Sequence, residues 1–365
     1  MYGKKLFIIF LLLVTGLTVS CSKEPEQAAP PLKPTTYTMT EVAVSDHQWT
    51  GVAVSPDNRI FVNFPLWSPK IPMCVGELLD DGTVEQFPDG KWNGYYRGAI
   101  PVNHLICVQS VVCDAEGYLW VLDAASPFLR GIIEKGPKLL KVNIDSAKVV
   151  EYYAFPDGLL EKASYLNDVR IDTKNKKAYI TDSGIGGLLI VDLESHSVRR
   201  VLAKHPSTMA EDVILTIEGK PWIRPDGGKI YVHADGIALD TANGMLYYQA
   251  LTGRHLYRIS TQYLLDTTLT EAELAEHVEM VGETGASDGL ICGPDGRIYL
   301  SAIEDNAVKA VNPDGSVQTI VSDSLLSWPD SFAFGPDGAL YVTVSQVHKG
   351  TQPGLVYRLF KIVAE

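Results

Sequence analysis

Short runs of alternating apolar and polar residues recur along the chain, each interrupted by a tight turn and resumed as apolar-aromatic-apolar. A period of two marks a strand with one buried face. Six stretches share the pattern: Gly51–Val62, Ser110–Val121, Asp168–Ile180, Gly236–Tyr248, Gly289–Leu300 and Ser331–Val342. Their aromatic anchors are Phe61, Trp120, Tyr179, Tyr247, Tyr299 and Tyr341, spaced 59, 59, 68, 52 and 42 residues apart. Pro-Asp-Gly and Ala-Asn-Gly between the apolar runs read as hairpin turns, because Gly and Asn accept positive φ at little cost. Each unit continues into a further strand pair, such as Gly187–Leu193 and Ser197–Leu202. Four strands in each of six units predict an all-β, six-bladed β-propeller over residues 37–365. A two-sheet sandwich leaves the sixfold period unexplained.

The pattern also predicts the irregular parts. Tyr37–Val44 is expected to supply an outer strand that closes the ring against Leu355–Val363. The long interval between Tyr179 and Tyr247 holds an insertion around His205–Asp226, and the next holds a short amphipathic helix at about Glu271–Met280. Gly184–Gly187 reads as a hairpin turn, since no helix follows it as a phosphate loop requires.

The first residues read as an address. Lys4 and Lys5 precede an apolar run, Leu6–Val14, too short to span a bilayer and suited to a secretory signal over residues 1–20. It ends at Leu17-Thr18-Val19-Ser20-Cys21, which resembles a bacterial lipobox, with Cys21 the lipidated first residue of the mature protein. Residues 21–36, rich in Pro, Glu, Ala and Lys, read as a flexible tether. The expectation is an exported lipoprotein on the periplasmic or cell-surface side of a bacterial membrane, touching the bilayer through its lipid anchor alone. The remainder has no apolar run near 18 residues and is expected to be a soluble monomer.

Charge narrows the partners. The formal net charge of the 365 residues is -13, and loss of Lys4 and Lys5 with the signal moves it to −15. That opposes a phosphate backbone, so nucleic acid is not an expected partner. Five cysteines are too few for a disulfide-built scaffold. Cys107 and Cys113, six residues apart in one strand, cannot bond to each other. Cys113 and Cys292 hold equivalent places in opposed blades. Cys74 with Cys107 stays open as a pair, against the plainer reading of small buried apolar residues.

The candidate chemistry follows from the repeat register. Residues at the starts of the inner strands ring one mouth of the channel, and here these are Thr50, Gln109, Asn167, Asp235, Asp288 and Asp330, with Asp168 beside Asn167. Carboxylates crowded into one mouth raise each other's pKa unless a cation or donor compensates. Asn167, Asp235 and Asp288 are candidate metal ligands, and oxygen-only ligands suit Ca²⁺ better than a soft transition metal. Gln109, Asn167, Asp168, His233 and Asp330 are candidate small-molecule ligands. The alternative is that each Asp caps its local turn. His104 and His233 lie close enough in sequence to reach the same mouth, and His255 is placed in a blade loop. Trp67, Trp92 and Trp222 sit in long connections where aromatics can line a pocket. The chain shows no nucleophile elbow, no His-Glu-x-x-His, no Cys-x-x-Cys pair and no Ca²⁺ helix-loop-helix.

Several stretches, in order, resemble the major royal jelly protein/Yellow family. They are Phe61-Val-Asn-Phe-Pro-Leu-Trp67 with Ile71-Pro72, Leu119-Trp-Val-Leu-Asp123, Tyr179-Ile-Thr-Asp-Ser183 leading to Leu189-Ile-Val-Asp-Leu193, Asp235-Gly-Ile-Ala-Leu-Asp240 with Leu246-Tyr-Tyr-Gln-Ala-Leu251, and Trp328-Pro-Asp with Leu340-Tyr-Val342. The resemblance implies a secreted six-bladed propeller with a small-molecule role, since insect members bind biogenic amines and some are linked to dopachrome isomerisation. It supplies no catalytic set. A more distant similarity is to the gluconolactonase/regucalcin family of Ca²⁺-dependent lactonases. That similarity implies metal and substrate ligands at inner-strand starts. Asn167-Asp168 fits the family's third-blade pair and Asp288-Gly289 its fifth-blade pair, whereas Asp235-Gly236 has a carboxylate in place of an amide. Trp49-Thr50-Gly51 stands where a first-blade Glu belongs, which puts that metal site in doubt. Three functions therefore compete. They are a membrane-anchored propeller that binds, and could isomerise, a small cyclic or aromatic metabolite; a divalent-cation lactonase; and a non-catalytic interaction scaffold.

Overall fold

The computed structural model describes residues 36–350 and 352–365, together with Gly3. The signal segment, the tether through Thr35 and Cys21 lie outside the described residues. Among the described residues, six four-stranded antiparallel sheets carry the fold, as the repeats predict. The third blade is typical: Leu166–Asp172, Lys177–Asp182, Leu188–Asp192 and Val198–Val201 pair in sequence order from channel to rim. Each inner strand packs beside the inner strand of the next blade, and the last of them, Pro329–Phe334, returns beside the first, Val52–Val54.

The ring closes by sharing one blade between the two ends of the propeller. Pro329–Phe334, Leu340–Val344 and Tyr357–Ala364 take Tyr37–Ser45 as their outer strand, in register from Tyr37 opposite Ala364 to Ser45 opposite Tyr357. This covers strand edges that would otherwise be open to pairing with other chains.

The core lies between the blades. One cluster joins Phe61 and Val75 of the first blade to Val108, Leu119 and Leu140 of the second, so the apolar face of each sheet is buried against its neighbour. Phe61, Trp120, Tyr179, Tyr299 and Tyr341 are buried as anchors, while Tyr247 keeps the equivalent position half-exposed and Tyr248 takes the interior. Full burial of such a side chain stabilises the fold by roughly 1.5–3 kcal/mol. A fully buried ion pair, Lys138 Nζ to Asp123 Oδ2 at 2.6 Å, also ties the second blade together, with Asp123 accepting the N–H groups of Ile106, Cys107 and Ala125.

Some expectations need correction. The amphipathic helix covers only Glu271–Ala275, with a Thr270/Glu273 capping box, and Met280 belongs to the strand Glu279–Glu283. The fourth blade needs an outer strand to pair with His255–Ser260, and that demand ends the helix early. For the same reason His255 opens a strand and is not in a loop. Cys74 and Cys107 are buried free thiols, and Cys113 and Cys292 are half-buried free thiols. The insertion forms a one-turn Pro206–Thr208 helix and a hairpin, Thr216–Ile217 with Lys220–Pro221. The hairpin tip reaches the sixth blade, where Glu218 meets Ser327 and Lys349.

Candidate functional site

The site is built from broken ladders. In five blades the inner strand slips register near its start, between Val108 and Ser110, Leu166 and Val169, Ala234 and Ile237, Ser287 and Leu290, and Pro329 and Phe332. The skipped residues are Gln109, Asn167-Asp168, Asp235-Gly236, Asp288-Gly289 and Asp330-Ser331. A bulge frees a residue from pairing and re-aims its side chain. Gln109, Asn167, Asp235, Asp288 and Asp330 thereby line one cavity of about 800 Å³ at the channel mouth.

The bulges also create orphan backbone groups, which the neighbouring strand satisfies. Thr181 Oγ1 accepts the Asp168 N–H, Ser301 Oγ accepts those of Asp288 and Gly289, and Thr343 Oγ1 accepts that of Ser331. Thr181 and Thr343, with Asn63 at the equivalent position of the first blade, also reach across to the next blade. Thr181 donates to the Asp235 carbonyl at 2.6 Å, Thr343 donates to that of Thr50, and Asn63 Nδ2 donates to that of Val108. Thr181 and Thr343 thus fix a bulge and the spacing between blades together, Ser301 a bulge and Asn63 a spacing. They lie two residues after the aromatic anchors, a polar repeat within the apolar pattern.

A hydrogen-bonded arc runs through the mouth. Trp67 Nε1 donates to Tyr165 Oη, Tyr165 Oη to Gln109 Oε1, and Gln109 Nε2 to Asn167 Oδ1. Asn167 Nδ2 then donates to Asp235 Oδ2 at 2.7 Å. From the far side, Trp328 Nε1 donates to Asp288 Oδ2 at 2.6 Å. Asp235 Oδ1 is buried and receives no N–H or hydroxyl of the described residues, while the Asp235 and Asp288 carboxyls lie close enough to share a proton. Burial, then the neighbouring charges of Asp288, Asp168 and Asp330, push the Asp235 carboxyl well above the ordinary range. Burial and Asp288 do the same to Asp330. Burial pushes Asp288 up to about 7 against the opposing Trp328 hydrogen bond. The floor of the cavity is thus a set of carboxyl groups short of positive charge.

The walls are apolar and aromatic, with Trp67, Leu129, Tyr165, Trp222, Tyr231 and Leu251 among them. Trp222 comes from the insertion and packs edge-on against Trp328, ring centroids 4.9 Å apart. Below the floor, Arg170 donates from Nη1 to the Val169 carbonyl and from Nη2 across the channel to that of Leu290. A second cavity of about 390 Å³, at the opposite ends of the inner strands, is lined by Arg170, Cys113 and Cys292.

Other expected residues sit elsewhere. Asp168 is outside the cavity lining and lies 3.9 Å from Arg170, its carboxyl raised by burial against that charge. The His233 ring turns away, its Nδ1 accepting the Ala210 N–H, and burial lowers its pKa. His104 is held by the Lys91 carbonyl and faces Tyr96, and Trp92 packs into the core between the first two blades. Thr50 is sealed inside, its hydroxyl donating to the Gln109 carbonyl, because the first blade has no bulge to expose it. Sequence spacing placed these residues near the mouth without giving the direction of their side chains.

The geometry also bears on a metal. Among the described residues, no three His, Cys, Asp or Glu side chains converge as ion ligands. The Gln109 bond fixes the Asn167 amide with its NH₂ toward Asp235, and the Trp328 N–H occupies Asp288. Donors therefore face the carboxylates where a cation would need oxygen. In this arrangement the residues do not fit Ca²⁺.

Comparison with known proteins agrees with this architecture. The family model described as major royal jelly protein matches residues 106–349. Major royal jelly protein 6 of Apis mellifera is 22% identical over 261 residues, covering 68% of this chain and 57% of the relative. Yellow-related salivary protein LJM111 of Lutzomyia longipalpis is 24% identical over 315 residues, covering 79% of this chain and 75% of the relative. This chain thus spans little more than half the length of the first of these relatives. Among solved structures, a gluconolactonase from Xanthomonas campestris superposes with a TM-score of 0.56 at 11% identity, covering 90% of each chain. Virginiamycin B lyase from Staphylococcus aureus superposes at 0.52 and 11% identity, covering 90% of this chain and 99% of the lyase. At such identities the likeness is one of fold.

Proposed function

The chain belongs to the major royal jelly protein family, and from that premise we propose that it binds a small aromatic molecule carrying a cationic amine in the channel mouth. The observation that carries the reading is the buried Asp235 Oδ1, which receives no N–H or hydroxyl of the described residues and sits among the carboxyls of Asp288 and Asp330 under walls of Trp, Tyr and Leu. An ammonium group would satisfy that oxygen and neutralise the cluster, and an aromatic body would cover the walls. A charge-assisted hydrogen bond there contributes about 1.5–3 kcal/mol, or roughly ten- to a hundredfold in affinity. Asp288, poised near neutrality, is the group suited to accept or return a proton should the ligand be isomerised.

The test is calorimetric titration with 2-phenylethylamine and with its neutral counterpart, 2-phenylethanol. The amine is expected to bind and the alcohol to bind at least about tenfold more weakly, with Asp235→Asn erasing the difference. Equal binding of the two, or binding of neither, overturns the reading. We further propose that the protein is exported and held at a membrane by lipidated Cys21, supported by the lipobox-like sequence before it.

A further inference from the structure

We infer that the ligand of this site is dipolar: an elongated aromatic molecule with an ammonium group at one end and a carboxylate at the other. The inference rests on the amine-binding reading and adds the second charge.

Its basis is the polarity of the cavity. Asp235, Asp288 and Asp330 lie along one part of the lining, and the same cavity is also lined by Arg130 and Lys162. In a chain of net charge -13, two cations on the wall of an acid-floored pocket oppose binding of a simple amine. Neither is consumed by an ion pair among the described residues, and Glu161, next to Lys162, turns instead to Lys204 at 3.5 Å. Their charge is therefore available to a ligand.

The two cations are also placed. The Ile132 N–H donates to the Lys162 carbonyl, and Lys162 Nζ donates back to the Ile132 carbonyl at 2.6 Å. This pins the ammonium beside the loop that carries Arg130. Gly131, at φ +92, permits the close approach, since a Cβ there would stand 2.5 Å from the Lys162 carbonyl oxygen. Phe128 and Leu129 take the left-handed conformation, at φ 58 and 56, which non-glycine residues adopt at a cost. The Arg130 guanidinium lies 5.7 Å from the Phe128 ring centroid. The strained loop thus holds a cation at the cavity, where a guanidinium fork and an ammonium recognise a carboxylate.

The experiment titrates 4-(2-aminoethyl)benzoate and 2-phenylethylamine into the wild type and into the Arg130→Gln/Lys162→Gln double variant. Both positions are exposed, so the fold is expected to survive, which circular dichroism would verify. The wild type should bind the aminobenzoate at least about fivefold more tightly, the scale of two partly exposed ion pairs. In the double variant that preference should vanish, and 2-phenylethylamine should bind as well or better because a repulsive charge is gone. A wild type without the preference, or a double variant that keeps it, overturns the dipolar ligand while leaving the amine site standing. Failure of both ligands to bind overturns both.

Discussion

Replacing Asp288 by Asn removes one ionisable group from the floor of the mouth and keeps its shape. Burial pushes this carboxyl up to about 7 from an ordinary 3.8. A folded-state pKa above the unfolded one contributes stability that is complete below the unfolded value and is lost as pH rises through the folded value. The window here is therefore about pH 4 to 7. Each unit corresponds to about 1.4 kcal/mol, so the wild type loses about 4 kcal/mol through Asp288 across the window, of which about 3 kcal/mol falls between pH 5 and 8. Asn does not ionise, and its Oδ1 still accepts the Trp328 indole N–H, so the variant loses none of this. Urea unfolding of both proteins at pH 5 and pH 8 reads the effect. Titrating groups that Asp288 does not influence cancel in the difference between the two proteins, whereas Asp235 and Asp330, relieved of a repelling neighbour in the variant, ionise more easily and move the difference in the same direction. The variant should gain on the wild type by about 3 kcal/mol from pH 5 to pH 8. A variant destabilised by the same amount at both pH values would refute the reasoning, because it would make Asp288 a plain structural acceptor.

Further expectations follow from other named contacts. Lys138→Met should destabilise the fold by about 3–5 kcal/mol in urea unfolding, because it leaves Asp123 as a buried charge without its cation; a loss under 1 kcal/mol would contradict this. Thr181→Val strips the bulge at Asp168 of its acceptor and the Asp235 carbonyl of its donor, so stability should fall by about 1–3 kcal/mol and 2-phenylethylamine affinity with it. Unchanged affinity would separate the bulge from the site. Cys21→Ser should move the protein from the membrane pellet to the soluble fraction, and full retention in the pellet would place the anchor elsewhere.

The blade count was legible because each blade repeats one strand-turn-strand with an aromatic anchor, and burial between blades demands that period. Gln109, Asn167, Asp235, Asp288 and Asp330 were legible as a ring, because equal register places them at one height around the channel. The bulges that turn them inward were not, since a register slip leaves no pattern of its own in a strand's polarity. Thr181, Ser301, Thr343 and Asn63 carried a readable signal, a polar residue two positions after the anchor where strand alternation alone does not require one. The Trp222 wall depended on how the insertion folds back over the mouth, which no periodicity encodes. His233 and His104 show the limit of spacing: each is near the mouth in sequence, and each ring is claimed by backbone nearby.

The amine-binding proposal makes the mouth of this propeller a receptor for a cation, organised around Asp235. A crystal structure of the protein soaked with 4-(2-aminoethyl)benzoate tests it most directly. The ammonium should lie within hydrogen-bonding distance of Asp235 Oδ1, with the aromatic ring against Trp222 or Trp67 and the carboxylate toward Arg130 and Lys162. The ligand seated at another surface, with no ammonium at Asp235 Oδ1, would overturn that proposal.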